Sequence, residues 1–167
     1  LSAFDEGGDE VAQARVAPNF RLSTTSATAW IVGGFARPGG KEAFTRAATV
    51  LAATDTLVVA TGIASIWGRD PLNTASAIHT VGEAFPGRFV AGLGISHPPA
   101  VAERGAHYRA PLQAMADHLD RMHAVEHRSP PPDDPVPVLL GALRPRMLEL
   151  ARDRADGAHP YFVPVEH

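Results

Sequence analysis

The stretch Leu-Val-Val-Ala-Thr-Gly-Ile-Ala-Ser-Ile-Trp-Gly-Arg-Asp-Pro, residues 57–71, organises the predicted fold of this chain. Its first four residues are apolar and mostly β-branched or small, which is typical of a strand buried on both faces. The pattern breaks at Thr61 and Gly62, and Asp70 followed by Pro71 indicates the start of a helix. Because ligands of α/β proteins bind at the carboxyl ends of parallel strands, we expect the loop after this strand to lie at a binding site. The residues of that loop are Gly62, Ile63, Ala64, Ser65 and Trp67.

The composition indicates one globular domain, residues 1–167, and excludes several classes of function. Hydrophobic residues make up 45% of the chain and charged residues 20%, with a formal net charge of −3, so one ordinary core is expected and no basic surface for nucleic acid. The chain has no cysteine, which excludes disulfides, iron–sulfur clusters and thiol nucleophiles. No apolar run reaches the roughly 18 residues of a membrane-spanning helix, and the acidic first ten residues do not resemble a signal peptide. We therefore expect a cytoplasmic protein that does not enter a membrane.

Strand-like and helix-like segments alternate along the chain. Apolar runs predict strands at 29–32, 57–60, 88–93, 136–140 and 158–163, and apolar residues at helical spacing predict helices at 41–53, 71–85, 110–124 and 145–154. The expected inward residues of the second helix are Leu72, Ala75, Ile78 and Phe85. Residues 9–17 have a weak helical pattern, and residues 19–28 have no clear period.

This alternation predicts an α/β fold with a parallel sheet and helical crossovers. Both a doubly wound sheet and part of a (β/α)8 barrel fit the order of segments. A complete barrel needs roughly 200–250 residues, so the barrel interpretation requires a partial barrel of about five or six strands.

Two groups of polar residues follow predicted strands. Ser96 and His97 stand at a glycine-rich strand exit, where an imidazole with an ordinary pKa of about 6.5 can move protons at neutral pH. A rigid surface loop is the alternative for this segment, since two prolines follow His97. Arg144 and Arg146 stand at another strand exit, where they either contact an anionic group or are simply solvated.

Two further motifs favour other functions only weakly. The pair Gly92 and Gly94 mimics a dinucleotide-binding fingerprint, but His97 occupies the position of its third glycine. Residues 123–127, His-Ala-Val-Glu-His, match the pattern of inverted zinc peptidases, in which His123 and His127 share a helix face and Glu126 is the base. A zinc hydrolase is therefore a minor alternative, although the motif lies beside a proline-rich connector.

The chain resembles the bacterial luciferase-like family of flavin and deazaflavin monooxygenases. The resemblance is carried by residues 57–71, by Arg-Phe-Val-Ala-Gly-Leu-Gly-Ile-Ser-His at 88–97, and by Gly-Ala-Leu-Arg-Pro-Arg-Met-Leu-Glu-Leu-Ala at 141–151 with Ala-Asp-Gly-Ala at 155–158. It is most similar to the actinobacterial branch that uses the deazaflavin coenzyme F-420. The resemblance covers about residues 29–167. Residues 2–6 resemble the end of the family's first strand, whereas residues 7–28 match the family poorly.

The resemblance implies a partial (β/α)8 barrel with coenzyme F-420, or alternatively FMN, at the mouth formed by the carboxyl ends of the strands. It implies an oxidoreductase that transfers hydride between this coenzyme and a small organic substrate, without a metal. Family members have a non-prolyl cis peptide bond behind the coenzyme ring, and Gly62 and Ile63 are the matching pair. His97 takes the position of an acid or polar group over the reacting carbon. The coenzyme contacts implied here are Trp30, Gly62, Ile63, Ala64, Ser65, Gly94, Ser96 and Arg144.

The family's phosphate-binding loops lie near the seventh and eighth strands, and this sequence stops at about the sixth. We therefore expect the 167-residue chain by itself to bind the coenzyme weakly or not at all and, through open strand edges, to self-associate as a homo-oligomer. The alternative interpretation is a catalytically incomplete half-barrel that self-associates or needs a partner.

Overall fold

A computed structural model describes residues 2–4, 10–13 and 28–31 by their backbone and residues 42–160 with their side chains. The strands in these ranges are β1 (Ser2–Phe4), β2 (Glu10–Gln13), β3 (Thr28–Ile31), β4 (Val58–Thr61), β5 (Ala64–Ser65), β6 (Phe89–Gly94), β7 (Val138–Gly141) and β8 (Gly157–His159). The helices are α1 (Ala43–Ala52), α2 (Pro71–Ala84), α3 (Pro98–Ala102), α4 (Pro111–His123) and α5 (Pro145–Arg154).

Strands β3 to β8 form a parallel sheet in the order β3-β4-β6-β7-β8, in which the short strand β5 also pairs with β6. Each step along this order is crossed by helix: α1 before β4, α2 before β6, α3 and α4 before β7, and α5 before β8. The predicted α/β class, with a parallel sheet and helical crossovers, is therefore confirmed.

Side chains on the two faces of the sheet belong to two separate clusters, because successive strand residues point in opposite directions. Val59, Ala91 and Leu140 pack with the helices in the main core. The alternate strand residues form a second, smaller buried cluster, namely Val58, Ala60, Val90 and Leu139. Burial on both faces explains why the strand sequences are continuous apolar runs rather than alternating ones.

The start of α2 lies where the sequence predicts it. The carboxylate of Asp70 accepts hydrogen bonds from the backbone N–H groups of Leu72 and Asn73, at 3.0 and 3.1 Å. Pro71, which has no N–H group to satisfy, occupies the first helical position. This cap ends the loop after β5 and turns the chain away from the sheet edge.

The predicted inward face of α2 is wrong at its first residue. Leu72 is 52% exposed, because helical rotation places it on the flank away from Ala75 and Ile78. The buried face is instead formed by Pro71, Thr74, Ala75, Ile78, His79, Val81 and Gly82. Gly82 belongs to that face because a Cβ atom there would lie 2.2 Å from Cγ2 of Val136.

The amino-terminal predictions need two corrections. Residues 10–13, expected to be weakly helical, form β2, which pairs antiparallel with β1 in the register Ser2 with Gln13. The strand expected to begin the barrel, β1, lies in this separate two-stranded sheet. Residues 19–27 and the end of the last predicted strand, after residue 160, lie outside the described residues.

No helix in the described ranges is long and apolar enough to span a membrane.

Candidate active site

The carboxyl ends of β4, β6, β7 and β8 surround one cavity of about 570 Å³. Its walls are mainly apolar, and they include Ile63, Ile95, Leu112, Leu143 and Met147. The polar side chains on its lining are those of Ser96, His97, Tyr108, Arg144, Arg146 and His159. A mainly apolar cavity with a few polar groups at strand ends has the character of a small-molecule site.

The floor of this cavity is built from Ile63 and three glycines. The peptide bond between Gly62 and Ile63 is cis, which confirms the geometry that the resemblance implied for this pair. A Cβ atom on Gly94 would lie 2.4 Å from Cδ1 of Ile63, and one on Gly141 would lie 3.4 Å from its Cγ2. The side chain of Ile63 therefore lies over strand ends that have no side chains of their own.

Thr61 joins β4 to β6 immediately before the cis peptide. Its hydroxyl donates a hydrogen bond to the carbonyl oxygen of Gly92 at 2.9 Å and accepts one from the Gly92 N–H at 2.8 Å. Both residues are fully buried, and a Cβ atom on Gly92 would lie only 1.8 Å from the Thr61 carbonyl oxygen. This close contact sets the point at which the chain leaves the sheet toward Gly62.

The loop after β5 is attached to the exit of β6. The indole Nε1 of Trp67 donates a hydrogen bond to the carbonyl oxygen of Ile95 at 2.7 Å, and the N–H of Ile66 donates to the carbonyl of Gly94 at 3.0 Å. The ring of Tyr108 lies 6.0 Å from that of Trp67 and lines the cavity, where burial raises the pKa of its phenol. Trp67 thus supports the cavity wall by packing.

The segment after β6 is a helix start rather than the rigid surface loop that was the alternative prediction. Ser96 has a φ of 57°, a left-handed conformation that is uncommon for a residue with a side chain. His97 is the residue before α3, and its carbonyl accepts a hydrogen bond from the N–H of Val101 at 3.1 Å. The exposed His97 side chain lies at the cavity lining.

The remaining polar groups come from β7, β8 and the start of α5. Arg144 and Arg146 flank Pro145, the first residue of α5, and both are exposed. His159 is half-buried, and burial lowers the pKa of its imidazole below the ordinary value of 6.5. No aspartate or glutamate of the described residues lines this cavity, so its formal charges come from two guanidinium groups.

The structure brings together most of the residues predicted from the sequence. Six of the nine line the large cavity: Gly62, Ile63, Gly94, Ser96, His97 and Arg144. Ala64 and Ser65 line a second, smaller cavity of about 110 Å³, together with the Glu42–Arg69 ion pair and Arg104. Trp30 is described by its backbone, which pairs with Ala60 of β4. The functional role of all nine residues stays a prediction.

His159 was missed by the sequence analysis. It follows the turn at Asp156 and Gly157 and stands at the end of β8. The criterion that selected His97, a histidine at a strand exit, applies equally to His159. The predicted strand of residues 158–163 placed His159 inside the strand instead of at its end.

The geometry assumed for the zinc alternative is wrong. Helix α4 ends at His123, so His123 and His127 do not share a helix face. The ring of His127 instead stacks on that of His79, with 4.2 Å between the centroids and 11° between the planes. No cluster of three or more candidate metal ligands occurs in the ranges with described side chains.

The family model for luciferase-like monooxygenases matches residues 23–167. The match covers most of the chain, and the chain belongs to this family. This match confirms the family resemblance that the sequence analysis based on residues 57–71, 88–97 and 141–158.

Solved structures show the same fold. The chain is similar to a coenzyme F-420-dependent tetrahydromethanopterin reductase from Methanopyrus kandleri, with 20% identity and a TM-score of 0.62 over 80% of this chain and 47% of that one. It is also similar to an F-420-dependent secondary alcohol dehydrogenase, solved with an F-420–acetone adduct, with 17% identity and a TM-score of 0.63 over 81% of this chain and 48% of that one.

A third similar structure is an EDTA monooxygenase from Chelativorans sp. BNC1, with 14% identity and a TM-score of 0.55 over 68% of this chain and 36% of that one. The chain thus spans less than half the length of each of these solved chains. The first two neighbours are TIM barrels, so the parallel sheet of this chain is part of a (β/α)8 barrel.

Proposed function

We propose that the large cavity binds a deazaflavin or flavin coenzyme and that the protein is an oxidoreductase acting on a small organic substrate. The bound coenzyme would accept or donate the hydride. Coenzyme F-420 is the first candidate and FMN the second. Two solved neighbours that are F-420-dependent enzymes support this order, and the family membership supports an oxidoreductase. The cytoplasmic location expected from the sequence is part of this proposal.

The observation that carries the proposal is the shape of the cavity floor. Gly94 and Gly141 have no side chains, and Ile63 covers them from the cis peptide. The result is an apolar surface at the strand ends, against which a flat ring system can pack without displacing a side chain. The volume of about 570 Å³ is within the range of small-molecule sites.

The polar groups around this floor have distinct proposed roles. Gly62 and Ile63 support one face of the ring, and Gly94 and Ser96 border its edge. Arg144 attracts an anionic group of the coenzyme. His97, at the exposed lining of the cavity, exchanges protons between the site and solvent. The proposal also includes the predicted coenzyme contacts of Trp30, Ala64 and Ser65. These contacts have less support, because none of the three side chains is described at the lining of this cavity.

Titration of the deazaflavin, and separately of FMN, with the purified chain tests this function through quenching of coenzyme fluorescence. We expect saturable quenching with a dissociation constant above the low-micromolar range, since the chain spans less than half of the solved chains it resembles. Quenching that rises without saturation, or none, would contradict the proposal.

A matched pair of variants locates the binding. Gly94→Ala places a methyl group against Cδ1 of Ile63, so the isoleucine must move toward the cavity and we expect coenzyme binding at least about tenfold weaker, a loss of about 1.4 kcal/mol. Gly68→Ala is the control, because its new methyl group meets neighbours only at 3.4 Å or more. Equal affinity of the two variants would show that the coenzyme lies elsewhere.

The second candidate function is a half-barrel that is incomplete alone and assembles with a second copy or a partner. It is favoured by the sheet itself, in which β3 and β8 each pair on one side only among the described strands. In this case the coenzyme would bind only to the assembly. The test is to measure coenzyme affinity and molecular mass in solution over a range of protein concentrations. Affinity that rises as the mass rises would support the assembly over the first candidate.

A further inference from the structure

We propose that the connector between α4 and β7, residues 124–137, is a pH-sensitive clasp on α2. It lies closed on α2 at neutral pH and opens locally in mild acid, when His79 takes up a proton. None of the connector residues, nor His79, lines the large cavity. The inference therefore goes beyond the proposed function and does not depend on a coenzyme.

Helix α2 presents two neighbouring features to the connector. The ring of His127 stacks on that of His79, with 4.2 Å between the centroids and 11° between the planes. Gly82 lies three residues further along α2 and so on the same face. A Cβ atom there would lie 2.2 Å from Cγ2 of Val136 and 3.5 Å from Cγ of Pro132. The connector therefore contacts α2 at two places, of which the histidine stack is titratable and the glycine contact is not.

The stack has no place for a second proton while the connector is closed. His79 is only 9% exposed, and its Nε2 atom has no hydrogen-bond partner among the described residues. A proton on that nitrogen adds a charged donor where neither an acceptor nor water is at hand. His127 is exposed and can be protonated in place, but a second positive charge on the stacked ring then adds repulsion. The closed connector therefore favours a neutral His79.

The charged groups around the stack do not offset this effect. No described ion pair or hydrogen bond joins any of them to His79 or His127. All of them except His118 are exposed, and the pKa of His118 is lowered to about 4 by burial, so it is neutral in mild acid. On α2 the group is Glu83, on α4 they are Asp117, His118, Asp120, Arg121 and His123, and on the connector they are Glu126, Arg128, Asp133 and Asp134.

Proton uptake therefore favours the open connector. Opening exposes the ring of His79 to water, where a histidine titrates near pH ~6.5. The open form then binds one proton more than the closed form, so its population rises by up to about tenfold for each pH unit below that value. Val125 and Val136 are only partly buried against the main core, and residues 126–131 are exposed. Opening thus exposes little apolar surface, and the strands can stay paired.

Hydrogen exchange read by mass spectrometry tests the clasp. The chain is compared at about pH 7.5 and about pH 5.5, on either side of the ordinary histidine pKa, with correction for the intrinsic exchange rate at each pH. We expect exchange in peptides of the connector to rise about tenfold, while peptides of β4 and β6 stay protected. A connector without this rise would overturn the proposal, and so would an equal rise in β4 and β6, which indicates global unfolding.

A matched pair of variants locates the proton. His79→Phe keeps a flat ring on which His127 can stack but has no nitrogen to protonate, so its connector should exchange at both pH values as the parent does at neutral pH. His123→Gln, at the exposed end of α4 and outside the stack, should keep the rise of the parent. The same rise in His79→Phe as in the parent would show that another group opens the connector.

His118→Leu separates the clasp from the second buried histidine of this region. The pKa of His118, about 4, lies below the range tested, so the rise in connector exchange should persist in this variant. If His118→Leu abolishes the rise and His79→Phe retains it, the assignment to His79 is wrong.

A spin label gives a second measurement that does not rely on a buried substitution. The chain has no cysteine, so Ser129→Cys, at an exposed position of the connector, adds a single thiol for labelling. We expect the mobile component of the label's EPR spectrum to grow as the pH falls and to shrink again on neutralisation. In the same labelled chain, His79→Phe, or His79→Leu where phenylalanine disturbs folding, should remove this pH response. A label whose mobility is independent of pH in the parent would overturn the proposal.

Discussion

Gly92 shows how a single residue determines the geometry of the site. A Cβ atom at this position would lie 1.8 Å from the carbonyl oxygen of Thr61 and 3.0 Å from its carbonyl carbon. These are backbone atoms, so they cannot move aside as a flexible side chain would. We expect Gly92→Ala to lower the free energy of unfolding by about 3 kcal/mol or more, at the upper end of the range for overpacked sites.

Urea unfolding measures the free energy of unfolding of Gly92→Ala, and Gly68→Ala serves as the control. At Gly68 the added methyl group meets only ordinary contacts of 3.4 Å or more, so its effect should stay within about 0.5 kcal/mol of the parent. If the two variants unfold at the same urea concentration, then β4 and β6 do not approach each other as closely as described.

Small and polar residues at the ends of predicted strands identified much of the cavity lining, but the same rule also selected a residue that lines another cavity. Gly62, Gly94 and His97 were selected because small and polar residues interrupt apolar runs, and all three line the cavity. Ser65 was selected by the same rule, but it lines a different cavity. A residue's position in the sequence predicts that it lies at this end of the sheet. It does not predict which of the two cavities its side chain faces.

At the scale of elements, the cap of α1 makes stability depend on pH. The carboxylate of Glu42 accepts hydrogen bonds from the N–H groups of Thr45 at 2.8 Å and Phe44 at 3.2 Å, and it pairs with Arg69 at 3.2 Å. Partial burial opposes ionisation, but these hydrogen bonds outweigh it and lower the pKa of Glu42 from 4.5 to about 2.

Because the pKa of Glu42 is lower in the folded chain than in the unfolded chain, its contribution is fully present above pH 4.5 and is lost as the pH falls toward 2. Glu42 is 42% exposed, so solvent screening reduces the effect. We expect Glu42→Ala to lower the free energy of unfolding by about 1 kcal/mol at neutral pH, with a smaller difference from the parent in acid. Urea unfolding across this pH range measures it, and a loss that is equal at all pH values would contradict the ionic cap.

The packing of α4 predicts a second pH effect. His118 is 5% exposed, and its Nε2 atom has no hydrogen-bond partner among the described residues. Burial, with a smaller contribution from the charge of Arg121, lowers the pKa of His118 from 6.5 to about 4. A lowered histidine pKa means that the unfolded chain takes up the proton first, so stability falls as the pH drops from 6.5 to 4.

We expect His118→Leu to weaken the loss of stability between pH 6.5 and 4, because leucine fills the buried position without a titratable group. His123→Gln, on the exposed side of the end of α4, is the control and should keep the parent's dependence. Thermal unfolding of the parent and both variants at neutral and mildly acidic pH measures this dependence. Equal slopes for the parent and His118→Leu would contradict this account.

At the scale of the whole molecule, the described sheet has two edges, at β3 and β8. Exposed strand edges offer unpaired N–H and C=O groups to other chains. We expect the 167-residue chain to self-associate, so that its molecular mass by light scattering rises with protein concentration. A monomer mass across the whole concentration range would contradict this expectation and, with it, the assembly in the second candidate function.

The order of elements was accessible from the sequence because it depends on local physics. Continuous apolar runs such as residues 57–60 predict strands covered on both sides, and the Asp70–Pro71 pair predicts where α2 begins; both are observed. The antiparallel pairing of β1 with β2 was missed, since a four-residue strand has too few residues to show its period.

By itself, the sequence determined the alternation of strands and helices, the family, and the residues that stand at the exits of β4, β6 and β7, because these follow from periodicity, capping and motifs within short segments. Only the tertiary structure decided which of those residues share a cavity. The cis peptide at Gly62 and Ile63, the glycine floor beneath it and the register that sets His159 beside Gly141 join residues from four strands. Such contacts depend on the pairing and spacing of strands far apart in the chain, and no local pattern encodes those distances.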